Sequence, residues 1–211
     1  MNRQEQRSEE TKQFILKAAR GLFASMGYES VTIRQIAKAA GCSHTTIYIY
    51  FKDKEALLQA LTIPGLLELQ ASLESILNDT SLTGLQAVKR MSSELIRFCL
   101  MHRTMYTVFF MVKADRVDER EPAMDMNKLR NQLFALLSEG LGRCFDEQLP
   151  ESRLLAYSRI YYYMLQGIVS TYAYSEESTE SLMGRLGETF DEATDVVLSG
   201  LLQRHLEEGQ I

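Results

Sequence analysis

Between Thr32 and Lys54 the chain gathers short, flat and long polar side chains in a pattern suited to a nucleic-acid duplex. His44, Thr45 and Thr46 are adjacent donors and acceptors. Hydroxyls serve either base type, and a threonine methyl can touch thymine. Tyr48, Tyr50 and Lys54 carry polar tips on long stems, which suits phosphate oxygens; such contacts position a protein without reading sequence. Free backbone N–H groups at helix starts near Thr32 and Ser43 would add phosphate donors. Elsewhere the chain offers no nucleophile–base pair, metal-ligand spacing or phosphate loop, so neither enzyme chemistry nor a cofactor or metal is expected.

Base reading needs rigid support, and the flanking residues supply its signals. Thr32 with Gln35 three residues on fits the capping box, and Val31 with Ile36 fits the hydrophobic staple. That helix runs to about Ala40, where Gly41 supplies a left-handed ending. Ser43 caps a second helix, His44 to Phe51, leaving Gly41 and Cys42 as the turn. Ile47 and Phe51 share its inner face, whereas His44, Thr45 and Tyr48 share the other. Asp53 caps a third helix beginning at Lys54. The pattern is a helix-turn-helix whose second helix enters the major groove. The same spacing also fits a helical hairpin inside a bundle, with Tyr48 and Tyr50 as interface aromatics.

Several of these residues together resemble a known signature. Thr32-Ile33, Ile36-Ala37, Ala40-Gly41, Ser43, Thr46-Ile47-Tyr48, Tyr50-Phe51, Lys54-Glu55 and Leu57 are similar to the DNA-binding segment of the TetR family of transcriptional regulators. Ile15, Ala18-Ala19, Leu22-Phe23 and Gly27 resemble the helix that precedes it, so the likeness spans roughly residues 11–57. The resemblance implies an all-α homodimer, with a three-helix DNA-binding domain and a larger domain for ligand binding and dimerisation. It implies that Tyr48, Tyr50 and Lys54 touch phosphate, and that Thr32, Arg34 and the start of the recognition helix lie at the DNA. Two positions depart: Thr45 stands where a small residue is usual, and Ile49 where His, Arg or Tyr is frequent. Both bear on base reading.

Charge distribution fits this division. The net charge of the 211 residues is −5, which alone argues against a nucleic-acid binder. Residues 1–55, however, hold nine Lys/Arg against six Asp/Glu, and 56–211 hold fourteen against twenty-two. A mildly basic head on an acidic body confines attraction for DNA to one end. The three cysteines, Cys42, Cys99 and Cys144, are odd in number and scattered, as expected of a reduced, cytoplasmic protein. Cys42, in the turn, reads first as a small filler and second as a redox switch. The polar N-terminus is no signal peptide, and no apolar run approaches the ~20 residues of a membrane span, so no membrane partner is expected.

Along the chain, about nine helices are expected. Residues 1–8 read as an arm in which Arg3 and Arg7 reach toward DNA. A first helix from about Glu9 to Met26 carries Phe14, Ile15, Ala18, Ala19, Leu22 and Phe23 as its stripe. The helix opened by Lys54 meets Pro64-Gly65, where it should kink or break, before apolar spacing resumes at Leu66, Leu67 and Leu69. A hinge and a fixed bend fit Pro64 equally well. After a loop at Asn78–Thr83, Gly84 to Leu100 turns Leu85, Val88, Met91, Leu95 and Phe98 inward. Thr104–Val112 is short and aromatic, residues 113–123 form a charged loop, and Ala123 to Phe145 is helical. Glu151–Tyr174 and Ser178–Leu206 close the chain. Their stripes suit a four-helix bundle across a two-fold axis, with Gly167, Ser170 and Gly200 allowing close approach.

The body, 56–211, is rich in flat and flexible apolar groups, as small-molecule pockets are. A pocket for a hydrophobic or amphipathic effector is expected among Phe98, Met101, His102, Tyr106, Phe109, Phe110, Met126, Phe134, Tyr162 and Gln166, with Tyr106, His102 and Gln166 as polar anchors. The same aromatics also suit ordinary core packing. The reading is a ligand-responsive repressor of a near-palindromic operator in double-stranded DNA. The alternative is a helical protein-interaction or partner-recruiting factor that does not repress.

Overall fold

Caps, left-handed glycines and leucine spacing divide the residues described by this computed structural model, 3–119 and 121–208, into nine helices with no strand among them. They are α1 (Arg3–Met26), α2 (Ile33–Ala40), α3 (His44–Tyr50), α4 (Lys54–Leu77), α5 (Gly84–Met101), α6 (Arg103–Phe110), α7 (Asp125–Gly142), α8 (Glu151–Tyr172) and α9 (Thr179–Glu208).

The head is built from local signals. Gly27 and Gly41 close α1 and α2 with φ of 77° and 69°, a left-handed conformation that costs glycine little. Ile15, Ala19 and Phe23 of α1 pack with Val31, Ile36, Ala37, Ile47 and Phe51 around one core. Two expectations change here. Helix α1 starts at Arg3, so residues 3–8 are helix and not an arm; Arg, Gln and Glu are good helix formers, and no breaker separates them from the rest. Met1 and Asn2 lie outside the described residues. Phe14 leaves the stripe and is 62% exposed, because it stands one step of 100° from Ile15, which faces the core.

Helix α4 joins head to body and packs on α5 and α7. It continues through Pro64 without a break. Proline offers no N–H to Ala60, yet Leu57, Leu58, Leu61, Leu66, Leu69 and Leu73 anchor both halves in the core. Gly65 follows because α6 comes close: a Cβ there would lie 2.9 Å from the Phe109 ring. By length and composition α4 is also apolar enough to cross a membrane, contrary to the sequence reading. Its leucines other than Leu67, however, are buried against other helices of this fold. Leu67 and Leu85 point outward, at 48% and 41% exposure.

The body packs α5 against α4, α7, α8 and α9. A second capping box, Thr83 with Gln86, starts α5. Fully buried Tyr161 shares a 2.6 Å hydrogen bond with Ser92. At Gly84 the backbone of α5 passes so close to the end of α7 that a Cβ would sit 2.3 Å from the Arg143 carbonyl oxygen. A backbone oxygen cannot swing aside as a side chain can. Gly84→Ala is therefore expected to destabilise the fold by about 2 kcal/mol, read as a lower urea midpoint; an unchanged midpoint would refute the close approach.

Candidate nucleic-acid interface and ligand cavities

Helix α3 has only seven residues, too few to be stable alone, so its position depends on caps and on one anchor. Ser43 Oγ accepts from Thr46 N at 3.0 Å and lies 2.8 Å from the Thr46 hydroxyl. Ile47 is fully buried beneath the helix. Thr32 and Gln35 complete their box at the start of α2, with Thr32 N donating to Gln35 Oε1 at 2.8 Å. Asp53 Oδ1 caps α4 by accepting from Ala56 N at 2.8 Å.

This framework leaves His44, Thr45, Tyr48 and Ile49 exposed together on the outer side of α3. Ile49 is 76% exposed, more than any core role would permit, and presents a methyl-bearing surface beside Thr45. Arg34 is exposed nearby on α2. Other expected groups are already engaged. Ser43 and Thr46 bind each other, and Thr32 binds Gln35, so their hydroxyls serve the caps first. The Tyr50 hydroxyl accepts from Ser8 Oγ at 3.1 Å, tying α3 to the extended start of α1.

Lys54 turns inward. Its ammonium donates to the carbonyls of Tyr28 at 2.9 Å and Val31 at 3.0 Å, and sits 4.2 Å from the Tyr28 ring centroid. It closes the turn between α1 and α2, so its expected phosphate contact gives way to a structural one. Lys52, exposed between α3 and α4, is a cation the sequence reading passed over. Its only sequence signal was its place just before the Asp53 cap. Cys42 is half-buried, and burial pushes its thiol pKa up, which disfavours the reactive thiolate and with it a redox role.

The ten residues expected in one pocket separate into four environments. His102 and Phe109 line a cleft of about 660 Å³ between α1, α4 and α6. Tyr106, Phe110, Tyr162 and Gln166 line a second cavity of about 490 Å³ between α6, the following loop and α8. Phe98, Met126 and Phe134 are buried packing, and Met101 is 56% exposed. Successive helix positions are 100° apart, so Phe109 and Phe110 serve different sides of α6.

The second cavity combines apolar walls with few polar groups, the usual make-up of a ligand site. The Tyr106 hydroxyl donates to Gln166 Oε1 at 2.5 Å. Burial raises the Tyr106 pKa to about 12 and pushes Tyr162 higher still, so both phenols stay protonated donors. Gln166 Nε2 is buried beside the Tyr162 hydroxyl, where its donor opposes part of the upward push that burial gives that phenol. At the mouth, Arg159 of α8 pairs with Asp118 of the loop. Sequence reading missed that rim; Arg159, Tyr162, Tyr163 and Gln166 share helical spacing, but the loop half carries no periodic signal.

Residues 15–61, which include this whole outer face, match the family described as bacterial regulatory proteins, tetR family. Over 56 residues the chain is 43% identical to the HTH-type transcriptional regulator AcrR of Shigella flexneri, a span of 26% of either chain. The similarity to such curated relatives thus covers about a quarter of their length. Across most of its length the chain has the fold of PfmR, a TetR family transcriptional regulator from Thermus thermophilus, with a TM-score of 0.66, 21% identity and coverage of 88% of this chain and 97% of that one. The transcriptional regulator FadR from Bacillus subtilis, solved in complex with stearoyl-CoA, has a TM-score of 0.61 at 18% identity over 90% of this chain and 97% of that one.

Proposed function

Since this chain belongs to the TetR family, carrying that family's DNA-binding segment at residues 15–61, we propose that it is a transcriptional repressor released from a near-palindromic operator by a hydrophobic or amphipathic small molecule. Residues 1–55 form the DNA-binding domain and 56–211 the ligand-binding and dimerisation domain. The observation that carries the reading is the outer face of α3: His44, Thr45, Tyr48 and Ile49 are exposed together on a helix fixed by its cap and by Ile47. Two copies, joined through α8 and α9, present two such helices to successive major grooves. A cytoplasmic protein fits that target.

The effector occupies the cavity between α6 and α8. FadR from Bacillus subtilis, similar in fold, was solved in complex with stearoyl-CoA; here the mainly apolar walls suit a ligand with an apolar body. Helix α6 carries the response. Tyr106 and Phe110 face the cavity, and Phe109 on its other side rests on Gly65 of α4, the helix that begins at the head. A ligand that binds better to one setting of α6 shifts the spacing of the heads by population.

Tyr48→Phe tests the roles assigned on α3. Loss of one phosphate hydrogen bond per copy is expected to weaken binding by roughly 1 kcal/mol per contact, similarly for all duplex sequences. Competition titrations with several duplexes measure this. A changed base preference would contradict the phosphate role and place Tyr48 among the base readers.

A further inference from the structure

Apart from buried Ile47, helix α3 consists of rows of residues four apart, each row a strip of one face. In the first row Thr46 and Tyr50 are engaged within the head, by Ser43 and Ser8. His44 and Tyr48 form a second row, exposed and polar. Thr45 and Ile49 form a third, exposed and edged with methyl groups. Among the described residues no other large aliphatic side chain is as exposed as Ile49. It belongs neither to the buried core nor to the apolar groups packed against it. The fold therefore gains little from a branched aliphatic at this position, and its role must be sought in what α3 meets.

The major groove offers an aliphatic side chain one kind of partner. Guanine, cytosine and adenine present donors and acceptors there, whereas thymine presents a C5 methyl beside its O4. An isoleucine set against a polar base edge strips water from it and returns no hydrogen bond. Set against a thymine methyl, it removes apolar surface of both partners from water. We propose that Ile49 reads a thymine methyl, so that each operator half-site carries a thymine where Ile49 meets the groove. Thr45, one turn earlier in the same row, brings a second methyl to the same strip of bases. The contact carries no charge and touches no phosphate, so it adds base preference without adding salt dependence. The inference rests on the reading of α3 as the recognition helix and deepens it from a face to a base.

The test uses the full chain and one duplex enriched by it from a random-sequence pool. That duplex is remade with uracil in place of every thymine, which deletes the methyls and keeps the base pairing. Competition titrations give the affinity of each form. Burying one methyl is worth about fourfold in affinity, so over two half-sites the wild type should favour the thymine form by roughly tenfold or more. Ile49→Ala changes an exposed residue and should melt with the wild type. It should bind the uracil form within about twofold of wild type and favour thymine by no more than about threefold. Uracil also alters duplex stiffness, but equally for both proteins, so the difference between the two ratios isolates the methyl contact. The salt dependence of the two proteins should be the same. Equal wild-type affinity for both forms would overturn the methyl contact and leave the repressor reading standing. A thymine preference that survives Ile49→Ala would overturn the assignment to Ile49. An Ile49→Ala chain that loses both forms alike would overturn it too, by showing that Ile49 holds the helix and does not read a base. No enriched duplex would overturn the inference together with the DNA reading beneath it.

Discussion

Replacing Arg130 with alanine is expected to lower the free energy of unfolding by about 3–5 kcal/mol. Arg130 stands on α7, 5% exposed, and its guanidinium replaces the donors that the end of α6 lacks. Nε donates to the Phe109 carbonyl at 2.6 Å, Nη2 to that of Val108 at 3.0 Å, and Nη1 to that of Val112 at 3.1 Å and to Asn127 Oδ1 at 2.5 Å. Burial lowers its pKa to about 10, which still leaves it charged at neutral pH, where the negative end of the α6 dipole favours a cation. Alanine would strip several buried carbonyls of their donors and open a void. Lysine brings charge without the planar fork, so Arg130→Lys should recover less than half of the loss. Urea unfolding measures both variants. Because Tyr106 and Phe110 lie on the same short helix, the alanine variant should also lose ligand-induced stabilisation. A loss below about 1 kcal/mol for Arg130→Ala would mean that α6 holds its own end.

Ile47→Ala should cost about 4 kcal/mol, within the range for a fully buried isoleucine cut back to its Cβ. The cost falls on a helix that cannot bear it. Ile47 is the buried residue of seven-residue α3, and the cap at Ser43 fixes only its start. Undocking α3 would scatter His44, Thr45, Tyr48 and Ile49, and DNA affinity should fall by on the order of a hundredfold or more. Ile47→Val, which removes one methyl, should cost about 1 kcal/mol and leave affinity within severalfold. Thermal melts with a parallel duplex titration give both numbers. An Ile47→Ala chain that binds DNA within threefold of wild type would show that the α3 face is not the binding surface.

What the sequence revealed best is what depends on near neighbours. The Thr32–Gln35 box, Gly41, Ser43 and Asp53 act within four residues, and each stands where its chemistry requires. Contacts between distant residues were harder to see. Lys54 has the reach for phosphate, and only the fold brings the carbonyls of Tyr28 and Val31 to it. Pro64 should interrupt a helix judged alone, but leucines on both sides of it are buried against α5 and α7. The aromatic run of α6 suggested one pocket because composition records how many rings there are and not their direction. Helical geometry sends Phe109 to the cleft beside α1 and Phe110 to the cavity beside α8.

Paired α3 helices that read DNA are the central claim. Selection of the purified chain on random-sequence duplex DNA, sequenced after rounds at two salt concentrations, tests it most directly. The expected result is an enriched near-palindrome, half-sites about one helical turn or a small multiple apart, and affinity that falls steeply as salt rises. A pool with no enriched sequence and binding indifferent to salt would contradict it.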